Sequence, residues 1–156
     1  MSGYVITLSE KKDAPDDVSA WAMRHQEVED TTVGLKRLQE AVGGRVECVS
    51  MSWDAFGLLE SFDLDLWVNE EGLLHDMKPN PAASLFASMI SGFERFLVGD
   101  AIITGMDWEA GESVPLTKDQ AVHVMAMLQA VTDLSGGLVS DGDHILGSDD
   151  DHPTPQ

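Results

Sequence analysis

Leu64-Asp65-Leu66-Trp67-Val68-Asn69-Glu70-Glu71-Gly72-Leu73-Leu74 is the stretch that decides how this chain folds. Over 64–68 the residues alternate: Leu64, Leu66 and Val68 share one face of an extended strand, and Asp65 and Trp67 take the other. Asn69-Glu70-Glu71-Gly72 is a turn, because Asn and Gly reach the backbone conformations that a reversal needs. Leu73 and Leu74 then read as a short returning strand. Just upstream, 45–51 is another extended run, with Val46 and Cys48 on one side and Glu47 and Val49 on the other. Neighbouring strands joined in this way predict an antiparallel meander.

Helices flank these strands. Thr31 or Thr32 caps a helix over 33–42, whose Leu35, Leu38 and Val42 lie on one face, and Gly43-Gly44 ends it. Asn80 is a natural cap and Pro81 suits the first helical position. The helix they open carries a broad apolar stripe of Leu85, Phe86, Met89, Ile90, Phe93, Phe96 and Leu97, and is read as running over 81–97. Ala101-Ile102-Ile103-Thr104 is a strand, and Thr117 with Gln120 forms a capping box for a last helix over 117–134. Tyr4-Val5-Ile6-Thr7-Leu8 is a first strand. The polar stretch 9–31 reads as an irregular insertion, with a short helix near 18–24 carrying Trp21.

The result is one α+β domain over 1–138, a small and mostly antiparallel sheet packed against two or three helices. The 33–42 and 117–134 helices cover the sheet, and 81–97 is an extra element whose stripe serves either as core or as an interface between copies. Residues 139–156 read as an acidic disordered tail. Residues 141–156 hold five Asp and no Lys or Arg, so −5 of the net charge lies there and −14 on 1–140.

The 156 residues suit a single domain with a sizeable core, and 43% hydrophobic content excludes wholesale disorder. The 28 acidic and 9 basic residues give a net charge of −19. That argues against a direct nucleic acid partner and against an anionic membrane surface, both of which are gripped by Lys and Arg. No run approaches the roughly 18 apolar residues of a spanning helix. A single cysteine forms no internal disulfide. The expected location is the cytoplasm, the host cytoplasm for a phage gene.

Several landmarks recur in a characteristic order: Leu38-Gln39-Glu40-Ala41-Val42-Gly43-Gly44 running into Val46-Glu47, then Asn69-Glu70-Glu71-Gly72, then Asn80 with Ala83, then Gly99-Asp100 before 101–104. Over about 33–131, plus the first strand, the chain resembles an uncharacterised domain family, a domain of unknown function, found in phages and in bacterial, often actinobacterial, genomes. The resemblance implies an accessory role and transfers no activity. The 9–31 stretch, the 81–97 helix and the tail look like additions to that pattern.

The chemistry-bearing residues are sparse. Cys48 has no base beside it in sequence and reads as a buried structural cysteine. His25, His75, His123, His144 and His152 are scattered without metal-ligand spacing. Ser140-Asp141-Gly142-Asp143-His144 is echoed by Ser148-Asp149-Asp150-Asp151-His152, but without the glycine and terminal Glu of a calcium loop. No catalytic motif occurs, so the expectation is a non-enzymatic protein without metal or cofactor.

The candidate binding residues are Trp67, Asn69, Glu70, Glu71 and Asn80, with Arg45 and Arg95 as the cations able to meet a phosphate. Trp67 points away from the aliphatic face of its strand. It is either an exposed anchor or packed beneath the helix that starts at Pro81. The expected function is accessory binding of a host protein with a basic surface, by nucleic-acid mimicry or by inhibition. The alternative is a protein that binds or sequesters a nucleotide or signalling molecule.

Overall fold

Backbone pairing, more than local propensity, shapes this molecule. The computed structural model describes residues 3–10, 21–54, 61–135 and 138–140. Its elements are β1 (Gly3–Glu10), β2 (Trp21–Val28), α1 (Leu35–Val42), β3 (Val46–Trp53), β4 (Phe62–Asn69), α2 (Pro81–Ser91), β5 (Ala101–Asp107), β6 (Glu112–Val114), α3 (Lys118–Ser135) and β7 (Leu138–Ser140). The sheet runs β3-β4-β5-β1-β2-β7, with β6 paired to β5 outside that path. Every pairing is antiparallel except β2 with β7. The architecture is α+β, as the alternation over 64–68 predicts.

The two faces of the sheet are covered differently. Ile6, Leu8, Leu64, Leu66 and Ile103 point to one face and join Phe86 of α2 and Val124 and Leu128 of α3 in the main core. Val5 and Ile102 point to the other face and meet Leu38 and Val42 of α1 in a smaller cluster. Period-two alternation along β1 and β5 thus feeds two cores at once.

The caps hold where their chemistry is complete. Gln120 N–H donates to Thr117 Oγ1 at 3.1 Å and Thr117 N–H to Gln120 Oε1 at 3.0 Å, a reciprocal capping box. Asn80 Oδ1 accepts from Ala83 N–H at the start of α2. α1 begins later than the sequence suggests, with Gly34 at its N-cap and no side-chain cap, so neither Thr31 nor Thr32 fills that place.

Four further expectations are corrected. Within 9–31, β1 reaches Glu10 and 21–28 is strand β2, so the part of the expected helix from Trp21 onward is a strand; residues 11–20 lie outside the described residues. The His25-Gln26-Glu27 segment of β2 is poor in strand-forming residues, but eight consecutive pairings from Gly3↔Val28 to Glu10↔Trp21 impose the extended form. Residues 73–74 do not return as a strand. His75 N–H bonds to Glu71 O and Met77 N–H to Gly72 O, so this backbone closes on itself as a turn. The helix starting at Pro81 stops at Ser91, where Gly92 takes φ 80° and donates its N–H to Ser88 O. Residues 93–97 then double back along α2. β7 places 138–140 in the sheet, so the strand includes the first two residues assigned to the tail; the rest, 141–156, lies outside the described residues, as do both copies of the Asp/His echo beyond Ser140.

Candidate functional site

The return path of 93–97 is fixed by serines one helical turn apart. Ser84 Oγ donates to Asn80 O at 2.8 Å and accepts from Leu97 N–H at 2.9 Å. Ser88 Oγ accepts from Arg95 N–H at 2.8 Å. Backbone amides at alternate positions of the strap are therefore satisfied by α2 side chains. Leu97 is turned toward the main core, while Phe93 and Phe96 remain exposed. Facing the strap, the closed turn at 70–77 presents Leu73 and Leu74 outward. Leu73, Leu74 and Phe96 share a groove of about 130 Å³ with Leu97 and Val98, and Glu47, Glu70 and Glu71 line it as well. The exposures are 71% for Leu73, 78% for Leu74, 68% for Phe93 and 65% for Phe96.

The candidate residues separate around this groove. Glu70 and Glu71 line it, and so does Asn69. Asn69 is nevertheless a buried structural residue: Nδ2 donates to Val42 O at 3.2 Å and Oδ1 accepts from Glu71 N–H at 2.7 Å, joining the end of α1 to the turn. Asn80 has no solvent contact; beyond its cap, Nδ2 donates to Gly99 O at 2.9 Å. Arg45 sits 3.8 Å from Glu70, with both side chains largely exposed. Arg95 lies 6.0 Å from the centre of the Phe93 ring. Neither arginine is among the residues lining the groove.

Trp67 is half-buried, and the helix beside it is α1, not α2, which lies on the opposite face. Its Nε1–H donates to Thr104 Oγ1 at 3.1 Å. The side chain completes the smaller cluster.

A polar row crosses the sheet beside Trp67. Asp65 pairs in register with Ser50 on one side and Thr104 on the other. Ser50 Oγ donates to Asp65 Oδ1 at 2.7 Å, and Ser52 Oγ donates to Asp63. Asp65 is only 2% exposed. Desolvation raises its pKa, the Ser50 and Cys48 hydrogen bonds oppose the rise, and the charge of Asp63 adds to it. Cys48, expected to be buried, is exposed on the edge strand β3. Its thiol is nevertheless pushed up to about 12, first by partial desolvation against its neighbours, with the nearby Asp65 carboxylate adding to the rise and the Ser50 hydrogen bond opposing it. Such a thiol stays protonated at neutral pH and is a poor nucleophile.

Two features escape a reading of the sequence. Phe93 and Phe96 look like the buried stripe of a helix, although Gly92 and the Ser84/Ser88 spacing were signals of a helix stop and a strap. Leu73-Leu74 carries strand propensity with nothing in sequence to show that the turn closes on itself.

Fold and groove define an α+β domain with a three-layer arrangement and an acid-lined apolar surface. The chain belongs to the family described as a domain of unknown function (DUF3846), whose model matches residues 17–129. The match begins before β2, so that strand lies inside the family's domain and not in an addition to it. No curated protein and no solved structure matches the chain. Among the described residues, no helix is long and apolar enough to cross a membrane.

Proposed function

We propose that this protein is a non-enzymatic accessory binding protein that engages a macromolecule with a basic surface, a host protein if the gene is phage-borne. The observation that carries this reading is the groove between 70–77 and 93–97. Large apolar side chains gathered at a surface and rimmed by polar groups are a mark of interaction sites. Aromatic anchors such as Phe93 and Phe96 commonly supply most of the binding energy, and the surrounding polar groups supply orientation. The rim here is acidic, through Glu47, Glu70 and Glu71. The matching surface on the partner is an apolar patch flanked by Lys or Arg. A net charge of −19 speeds encounter with such a partner and makes association salt-sensitive.

The test is capture from host lysate by three immobilised proteins: the wild type, Leu74→Asp/Phe96→Asp, and Glu47→Gln/Glu70→Gln/Glu71→Gln. All three should show the same circular dichroism, because every altered side chain is at the surface or only partly buried. A partner lost with the aspartates, and held less well at low salt by the glutamine variant, supports the reading. A partner held equally by all three, or no partner at any salt, overturns it.

A further inference from the structure

This chain has nine Lys and Arg residues, and two of them, adjacent in sequence, line one cleft. Lys36 and Arg37 stand on α1 and, with Glu40 and Ala41, form one wall; Thr7 of β1, Gln26 of β2 and Ile102 of β5 form the rest. Arg24 pairs in register with Thr7 and lies on the same side of the sheet as Gln26, two residues on. The cleft measures about 590 Å³, within the range of roughly 300–1,000 Å³ usual for small-molecule sites. Arg37 Nη1 donates to Gln26 Oε1 at 3.2 Å, which holds the guanidinium across the opening. Among the described lining residues Glu40 is the one acid. The cleft is therefore cationic, in a molecule that is elsewhere strongly anionic.

The placement of the cations also runs against helix stability. Lys36 and Arg37 occupy the first turn of α1, where the helix dipole disfavours positive charge. That turn has no acid, and the last turn has no cation. A local rule broken in this way marks a position under some other demand. A bound anion meets that demand.

We propose that this cleft binds a small phosphorylated ligand of nucleotide size. Lys36 and the planar, fork-like guanidinium of Arg37 hold the phosphate. The Thr7 hydroxyl and the Gln26 amide meet polar edges of the ligand, and its uncharged part rests on Ile102 and Ala41. The surrounding negative charge keeps a long nucleic acid strand away. The site is separate from the groove at 70–77 and 93–97, so neither reading depends on the other.

The test uses the full-length protein labelled with ¹⁵N. Amide shifts are followed while ATP, inorganic pyrophosphate and a single-stranded oligonucleotide are added in separate titrations. ATP and pyrophosphate should move the amides of Thr7, Gln26, Lys36 and Arg37. Lys36→Gln/Arg37→Gln should weaken ATP binding at least tenfold without lowering Tm, and Arg45→Gln/Arg95→Gln should leave it unchanged. Glu40→Gln removes the opposing charge and should tighten ATP severalfold, which keeps the test valid should the double variant fail to fold. Four results overturn the proposal: no shifts at millimolar ATP and pyrophosphate; equal affinity in the Lys36→Gln/Arg37→Gln variant; no tightening in Glu40→Gln; or an oligonucleotide bound as tightly as ATP.

Discussion

Replacing Asn80 with Ala removes two hydrogen bonds from a side chain that has no solvent contact. Its Oδ1 accepts from Ala83 N–H at 3.1 Å, capping α2, and its Nδ2 donates to Gly99 O at 2.9 Å, tying the helix start to the entry of β5. Loss of such a cap costs about 1 kcal/mol. Depriving a buried carbonyl of its donor costs about 1–3 kcal/mol more. The sum, about 2–4 kcal/mol, corresponds to a fall in Tm of roughly 5–15 °C for a chain of this size. Asn80→Ser separates the two contributions, because it restores the cap acceptor but not the bond to Gly99; it should recover about 1 kcal/mol relative to Ala. Urea unfolding followed by tryptophan fluorescence measures both, since Trp53 lies 6.1 Å from the Phe86 ring of α2 and reports on that helix. A loss below about 0.5 kcal/mol for Asn80→Ala would refute the reasoning. So would a serine variant no more stable than the alanine one.

Other perturbations have equally definite outcomes. Burial raises the Asp65 pKa, so the folded chain holds this proton to higher pH than the unfolded chain does, and stability falls as pH rises through that window. Asp65→Asn should therefore stabilise the protein at pH 7, with the gain shrinking as pH falls toward the ordinary carboxylate range; a loss of stability at pH 7 contradicts this. The Cys48 thiol, pushed up to about 12, should react with iodoacetamide at pH 8 more than about tenfold slower than a free cysteine, and Asp65→Asn should speed the reaction. An ordinary rate would show that its neighbours do not desolvate it. Ser84→Ala should cost about 1–2 kcal/mol and accelerate hydrogen exchange at the Leu97 amide, which bonds to Ser84 Oγ; unchanged exchange there would mean that the strap is held by other contacts. Trp67→Phe should destabilise by about 1 kcal/mol, since the indole N–H bonds to Thr104, which is fully buried. No loss in urea unfolding would mean that this bond contributes nothing.

Much of the candidate site was hidden because its residues come together only through the sheet. Glu70 and Glu71 stand beside Leu73 and Leu74 in sequence and could be singled out there. Phe96, some 25 positions further on, reaches the same groove because Gly92 reverses the chain and Ser84 and Ser88 secure the return. The cationic cleft is harder still to foresee. Lys36 and Arg37 look like solvated helix residues until β1, β2 and β5 bring Thr7, Gln26 and Ile102 opposite them. Asn69 and Asn80 were legible as special positions, but sequence could not distinguish a ligand contact from a bond to a distant carbonyl.

What depends on near neighbours was legible in the sequence: that 4–8 and 101–104 are strands, the alternating faces of β3 and β4, the Thr117/Gln120 capping box, the Asn80 cap, and a strong net negative charge. These follow from local geometry and from charge, which need no partner distant in the chain. Long-range packing is what makes 21–28 a strand, sets Trp67 beside α1, and fixes where 93–97 runs. In each case the outcome depends on pairing or burial against residues far along the chain, and the free energy of those contacts exceeds the weak local preference they override.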